Sequence, residues 1–514
     1  MKVIQSKYTW LTMTVLASIA VWYYTCTRVS HYFIDRDSFQ GASLTLLALM
    51  LAAFVLSFAV LLRREKCKPK SLKICFWVTA VLLVISIAFD IVYSALAWEM
   101  LDDIFYYVRS SIGWVLLIWF GIIALVFLPR LRAQHRKIVS IVLGACLLVS
   151  IVFIGFEPFA FRFSANPLVL VRNETTYSVV WATSHPATAS LEIVSGGKST
   201  VLYDEQGGNI RANDRVHHIT VPCEVLNHCE SYTVHSTRVK ERTGYSLRTG
   251  KSISYQVDAF HAPEENSENL NLLTLTDWHE HAGYAAKAIE HLEQADVLIM
   301  AGDALNMIND QEGLITHLLA PCADYSASAM PVIFAKGNHE CRGAYSTSLL
   351  EDLGMESFYY AYRVGPLSGV VLDMGEGASD DFVEYWSLAD YEAYRDTQAQ
   401  WLEGVKVQDT KYHLSFCHDE RFSEPAEGRR ERGEYVEQLN RLKTDLLVAG
   451  HLHDSVYRPK GENGRQFASF IAGGITKDKG FRAGMVSIHG EQVSLKIVDR
   501  EGTVHLEESF KIGA

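Results

Sequence analysis

Apolar and polar positions divide the chain into three stretches of different rhythm. The first holds five long apolar runs, about 9–27, 41–62, 74–98, 112–128 and 138–156. Each reaches the ~17 to 20 residues that a helix needs to cross a bilayer core. Between about 165 and 260 the pattern shortens into seven β-rich runs (PLVLVR, YSVVWAT, ASLEIVS, STVLYDE, HHITVP, SYTVHSTRV and SISYQVDAF) separated by Gly, Asn, Asp and Ser clusters. That spacing predicts an antiparallel β-sandwich, with Trp181 as a core indole and Tyr232 as a corner tyrosine. The polar stretch HAPEENSENLN (261–271) reads as a linker. From 272 onward apolar strands alternate with helical stretches, which predicts an α/β sheet. The expected fold class is therefore multi-domain: a five-span helical transmembrane region (1–157), a β-sandwich (165–260) and an α/β domain (270–514).

Charge sharpens the division. The whole chain carries 47 Lys+Arg against 59 Asp+Glu, a formal −12, which excludes a protein that coats nucleic acid. Residues 1–156 hold 15 basic and 7 acidic residues (+8), so the remainder holds 32 and 52 (−20). The basic loops Arg63–Lys73 and Arg130–Lys137 alternate with loops bearing Asp35/Asp37 and Asp102/Asp103. Basic short loops stay in the cytoplasm, so an odd number of spans predicts an integral membrane protein whose α/β domain lies outside the cytoplasm, on the periplasmic or extracellular face of a bacterial inner membrane. Asp90 is the one acid inside a run and reads as facing other helices or water. An exported region permits disulfides, and Cys223 with Cys229 and Cys322 with Cys341 are the candidate bridges; buried free thiols are the alternative.

The chemistry sits where the apolar strands of the last stretch stop. NLLTLTD runs into Asp277-Trp278-His279, ADVLIMAGD ends in Gly302-Asp303, PVIFAKGNHE carries Gly337-Asn338-His339-Glu340, YHLSFCH ends at His418, and DLLVAGHLH closes with Gly450-His451-Leu452-His453. Carboxyl ends of strands in an α/β sheet share one rim, where ligands bind. Residues two apart in extended chain point to one side, so Asp277 with His279, and His451 with His453, are expected to converge. Glycines before Asp303, Asn338 and His451 allow close backbone approach. Oxygen and imidazole donors without thiolate suit Mn, Fe or Zn, and seven of them suit two ions better than one.

This ordered set, Asp-x-His, Gly-Asp, Gly-Asn-His-Glu, His and Gly-His-x-His, resembles the calcineurin-like metallophosphoesterase family over about 270–510. The β-rich segment before it is similar to the fibronectin type III-like domain that precedes the catalytic domain in purple acid phosphatases. The resemblance implies a four-layer α/β metallophosphoesterase sandwich with two divalent or trivalent metal ions. Asp277, His279 and His453 would hold the first metal, Asn338, His418 and His451 the second, and Asp303 would bridge both. His339 would be the catalytic histidine, acting with Asp303 on phosphomonoesters or phosphodiesters by attack of a metal-bound hydroxide. Glu340 would orient its neighbours.

Purple acid phosphatases place a tyrosine three residues after the bridging aspartate. Asn306 stands there, so the resemblance implies no phenolate ligand and no purple charge-transfer band; Asn306 is instead placed beside His339. Arg342, His281 and Asn306 are further candidates for contacting the substrate phosphate, and the acidic, aromatic segment 376–396 for rimming the pocket. More spans than a tether needs point to a membrane or lipid-linked phosphate as partner. The other class that fits the organisation is a membrane sensor or transport-linked protein with a regulatory metal-binding outer domain.

Overall fold

The computed structural model describes residues 161–243, 246–385, 387–423, 432–476 and 480–512. The five expected spans at 9–156 lie outside these residues. Among the described residues no helix is long and apolar enough to cross a membrane. Even Tyr391–Gly404, at 14 residues, falls short of the ~20 a span requires and carries Glu392, Arg395, Asp396 and Glu403. The expected helical transmembrane region, and with it the integral membrane location facing out of the cytoplasm, is corrected accordingly.

All seven β-rich runs before residue 260 form strands, from Phe163–Val171 to Ser246–Val257. Phe163–Val171, Thr176–Ala187 and Asp214–Pro222 pair antiparallel, as do Lys198–Tyr203, Ser190–Ser195 and Ser231–Thr243. Leu170 pairs in parallel with Val332, so the first strand extends a sheet of the catalytic segment, and Arg162–Val239 clusters with Lys251–Ala514 in one compact unit. Trp181 is fully buried, with its Nε1 donating to Ser236 Oγ at 2.9 Å. Tyr232 is buried too, but its hydroxyl donates to the Ser328 carbonyl far along the chain rather than to a local corner. These two antiparallel sets make up a β-rich flank whose first strand also joins the catalytic sheet.

Two sheets carry the catalytic segment. In one, Asn269–Leu275, Val297–Met300 and Val332–Phe334 run parallel, flanked by the antiparallel strands Phe481–His489, Gln492–Asp499 and Val504–Lys511. In the other, Leu367–Leu372, Tyr412–Cys417, Leu446–Ala449 and Ala468–Ala472 run parallel. The run Leu446-Leu447-Val448-Ala449 shows why such strands are apolar throughout. Leu446 and Val448 enter the core shared with the first sheet, whereas Leu447 and Ala449 enter a second core with Leu402, Tyr435 and Leu439 of the helices Tyr391–Gly404 and Gly433–Arg441. A strand covered on both faces has no polar side to show. Helix Ala282–Ile289 packs on the first sheet through Ala285 and Ala288.

The five described cysteines are free. Cys322 is buried within the helix Ala320–Tyr325 and Cys341 ends the short turn His339–Cys341, so the expected bridges are absent.

Candidate metal centre

The five motifs leave strands of both sheets and meet between them, three from the first sheet and two from the second. They reach the site through sharp turns. Asp277 (φ 52°), His279 (φ 43°), Asp303 (φ 56°), His451 (φ 68°) and His453 (φ 53°) all adopt the left-handed backbone conformation. For side chains other than glycine this costs about 1 to 2 kcal/mol per residue, so the surrounding structure must impose it. Backbone bonds do so: Asp277 N to Gly302 O (2.9 Å), His279 N to Asp303 O (3.1 Å), Ile475 N to Asp277 O (2.9 Å) and Gly450 N to His418 O (2.9 Å). The extended alternation expected to align Asp277 with His279 and His451 with His453 is therefore replaced by turns. Among the three motif glycines Gly450 permits the closest approach: a Cβ there would lie 1.9 Å from Thr276 Oγ1 and 2.6 Å from Asp277 Oδ2.

Three groups of side chains lie within reach of a shared ion: Asp277, His279 and His453; His279, Asp303 and His339; Asp303, His418 and His451. In the first, Asp277 Oδ1 lies 3.3 Å from His453 Nε2 and 3.9 Å from His279 Nε2, and the two imidazole Nε2 atoms are 3.3 Å apart. In the last, Asp303 Oδ2 lies 3.1 Å from His418 Nε2, which is 3.3 Å from His451 Nδ1. Asn338 Oδ1 completes that side at 3.1 Å from His451 Nδ1. Asp303 Oδ2 also stands 3.9 Å from both His279 Nε2 and His339 Nε2, between the two sides.

These groups fit cations. Asp277 is fully buried; its Oδ2 accepts from Thr276 Oγ1 (2.5 Å) and His451 N (2.8 Å), while Oδ1 has no hydrogen-bond donor. His418 Nδ1 lies 2.6 Å from the Ala301 carbonyl and His453 Nδ1 2.7 Å from the Ile475 carbonyl. A carbonyl only accepts, so each Nδ1 carries the proton and each Nε2 turns a lone pair toward the carboxylates. Lone pairs facing carboxylates need a positive charge between them. The same balance is visible in proton affinities. Burial opposes charging His418, yet Asp303 and Asp277 raise it to about 10. Burial also opposes ionising Asp303, but His418 and His339 hold it well below the usual carboxylate range. Burial raises Asp277 and lowers His279 and His451 to about 4 each, leaving those two imidazoles neutral as metal coordination requires.

Around the centre, Glu340 accepts from the backbone N–H groups of Asp303 (2.9 Å), Ala304 (2.7 Å) and Gly337 (2.9 Å). His339 Nδ1 meets the backbone carbonyl of Asn306 at 2.9 Å, so the residue beside His339 acts through its main chain and not through its amide. Arg342 Nη1 lies 2.9 Å from His339 Nε2, and Arg342 Nε pairs with Glu376. His281 stands apart: it is exposed and its ring stacks on Tyr284 at 5.2 Å. Glu376, which also accepts from Asn338 Nδ2 at 3.2 Å, lies in the segment 376–396 that the sequence marks as a rim without singling it out, and Asp419 and Arg421, which contact His451, are not marked at all. The signal was present, since Asp373 and Glu376 follow the apolar strand Leu367–Leu372 as the other site residues follow theirs.

The class this site defines is a metal-dependent phosphoesterase. Residues 270–455 match the family model described as calcineurin-like phosphoesterase. No curated protein matches the chain by sequence. Among solved structures it is similar to the purple acid phosphatase PPD1 from yellow lupin (Lupinus luteus) seeds, with 13% identity, TM-score 0.44, and 67% of this chain and 74% of that one covered. It is also similar to a dimetal phosphatase from Danio rerio, with 15% identity, TM-score 0.36, and 48% and 99% covered.

Proposed function

We propose that this protein hydrolyses phosphomonoesters or phosphodiesters at a dinuclear centre, with Asp277, His279 and His453 holding one ion, Asn338, His418 and His451 the other, and Asp303 shared. The observation that carries the reading is the donorless, buried Oδ1 of Asp277 facing the Nε2 lone pairs of two histidines. When bound, two such ions polarise the phosphoryl group and acidify water near neutral pH.

The residues supply the rest. Asn306 O holds the Nδ1 proton of His339 and so turns Nε2 toward the centre. As a water oxygen bonds to phosphorus and the ester P–O bond breaks, the departing oxygen takes a proton from His339, whose Nε2 exchanges its contact with Arg342 Nη1 for the ester. Arg342, held by Glu376, presents its guanidinium to the phosphate oxygens. Residues 270–514 carry this chemistry and the β-rich flank braces it.

The test is turnover of an aryl phosphomonoester and a bis-aryl phosphodiester by the full chain loaded with Mn, Zn or Fe. Asp303→Asn and His339→Ala should each lose at least about 100-fold in kcat, the first together with bound metal and the second without it. Two bound metals per chain and no turnover of either ester would overturn the proposal.

A further inference from the structure

We infer that a cavity between the edges of the two sheets is a second binding site, for a nucleotide: a flat ring bearing several phosphate groups. The inference does not rest on the phosphoesterase reading, and the cavity shares no residue with the metal centre. Ser455–Arg458 is an outer strand of the second sheet, beyond Ala468–Ala472, and Val504–Lys511 is an outer strand of the first, beyond Gln492–Asp499. The two edges meet where the Tyr457 and Phe510 rings stack, with centroids 6.0 Å apart and planes 18° from parallel. Both rings line a cavity of about 480 Å³, which the end of the helix Gly433–Arg441 and the turn after it line as well. Cavities of roughly 300 to 1,000 Å³ hold small organic ligands.

Part of the wall consists of side chains whose bonds are already made. Asn440 Oδ1 accepts from Gln466 N at 2.8 Å and Asn440 Nδ2 donates to Gly464 O at 2.9 Å, tying the loop 459–466 to the helix end. Thr444 Oγ1 lies 3.2 Å from Ser415 Oγ, and Asp445 Oδ2 accepts from His413 N at 2.9 Å. The groups left over are chiefly donors. Lys443, Lys460 and Lys511 all line the cavity, and among the described residues none has an ion pair or a side-chain hydrogen bond. The same is true of the Tyr457 hydroxyl and the Gln466 amide. Asp445 is the one carboxylate of the lining, so three positive charges stand against one, in a part of the chain that holds 52 acidic and 32 basic residues. Protection of a sheet edge explains Lys511 on its strand, but not Lys460 in the turn after Arg458 or Lys443 beyond a helix. Lysine meets phosphate as a point charge, three lysines suit more than one phosphate group, and aromatic side chains are the platforms on which bases stack.

The experiment is equilibrium dialysis of ATP against the full chain, with chelator present so that the metal centre holds no ion, beside tripolyphosphate and adenosine. ATP is expected to saturate one site below about 1 mM. It should bind at least about fivefold more tightly than tripolyphosphate, as stacking of one base provides, and at least about tenfold more tightly than adenosine. Lys443→Ala/Lys511→Ala should weaken ATP at least about tenfold through lost charge-assisted bonds, while Lys443→Arg/Lys511→Arg retains it. Tyr457→Leu should bring ATP to the level of tripolyphosphate. Absence of saturable ATP binding overturns the inference, and so does equal affinity for ATP and either tripolyphosphate or adenosine. Binding that is lost in Arg342→Ala and kept in the alanine pair overturns it in favour of the metal centre. The phosphoesterase reading survives each of these results, because its own test is turnover with metal bound.

Discussion

Glu340 accepts the backbone N–H of Asp303 at 2.9 Å, and the same buried carboxylate accepts the N–H groups of Ala304 and Gly337. One side chain of the Gly-Asn-His-Glu motif therefore fixes the loop that carries Asp303 against the loop that carries Asn338 and His339. Burial and the nearby Asp303 charge push the Glu340 carboxyl up to about 7. Glu340→Gln keeps the shape but leaves one acceptor oxygen and sets an NH2 group against backbone donors. Urea unfolding should show a loss of about 2 to 4 kcal/mol, with a parallel drop in bound metal. Unchanged stability and full metal content would mean that the two loops are held by other contacts.

Asp277 should change the sign of its effect with metal. In metal-free protein its buried carboxylate is a desolvated charge with a donorless oxygen, so Asp277→Asn is expected to leave the melting temperature equal or raise it. With Mn or Zn bound, the same variant should melt lower than the wild type, because an ion that binds only the folded state stabilises it by mass action. Thermal unfolding with chelator and with metal checks this; a lower melting temperature under both conditions would speak against the site.

Glu376 and Arg342 separate metal retention from substrate binding. Glu376→Ala frees the Asn338 amide as well as Arg342 and should weaken metal binding by about 10-fold to 100-fold, as outer-shell partners of metal sites do. Arg342→Ala leaves the Asn338–Glu376 bond in place, so metal content should hold while KM for phosphate esters rises about tenfold. Metal titration followed by steady-state kinetics distinguishes the two, and equal metal loss in both variants would refute the division of roles.

The β-rich flank carries a pH dependence of its own. His217 is buried beside Trp181, at 5.6 Å between ring centroids, with its Nε2 3.2 Å from Thr183 Oγ1. Burial lowers it from 6.5 to about 4. Between those values the unfolded chain binds the proton and the folded one does not, so its stabilising contribution is complete above pH 6.5 and is lost as pH falls toward 4, by about 3 kcal/mol in all. Asp204 and Asp352, raised to about 6 chiefly by burial, act in the opposite direction as pH falls. The difference between wild type and His217→Phe isolates the histidine, and urea midpoints at pH 7 and pH 4 should show that difference shift by this amount in favour of the variant at pH 4. A difference that does not vary with pH would mean that His217 does not titrate in this range.

How much was legible in the sequence follows the range of each interaction. The strands ending at Asp277, Asp303, His418 and Gly450 were readable because burial on both faces writes itself as a local apolar run, and those of the β-rich flank because short β-rich runs stand between Gly, Asn, Asp and Ser clusters. The residue types of the centre were readable for the same reason, each motif standing where such a run stops. Tertiary structure alone decided what depends on chain segments far apart. It divided the five motifs between two sheets. It paired Leu170 with Val332 and so joined the flank to the catalytic sheet. It set Glu376 between Asn338 and Arg342, and it gave His339 the carbonyl of Asn306, a group every residue possesses and no side-chain pattern can announce. The five left-handed turns belong there as well, since their cost is repaid by backbone bonds to distant strands. Periodicity records which face of a segment is buried; it does not record against what, and the partners decide how the centre is held.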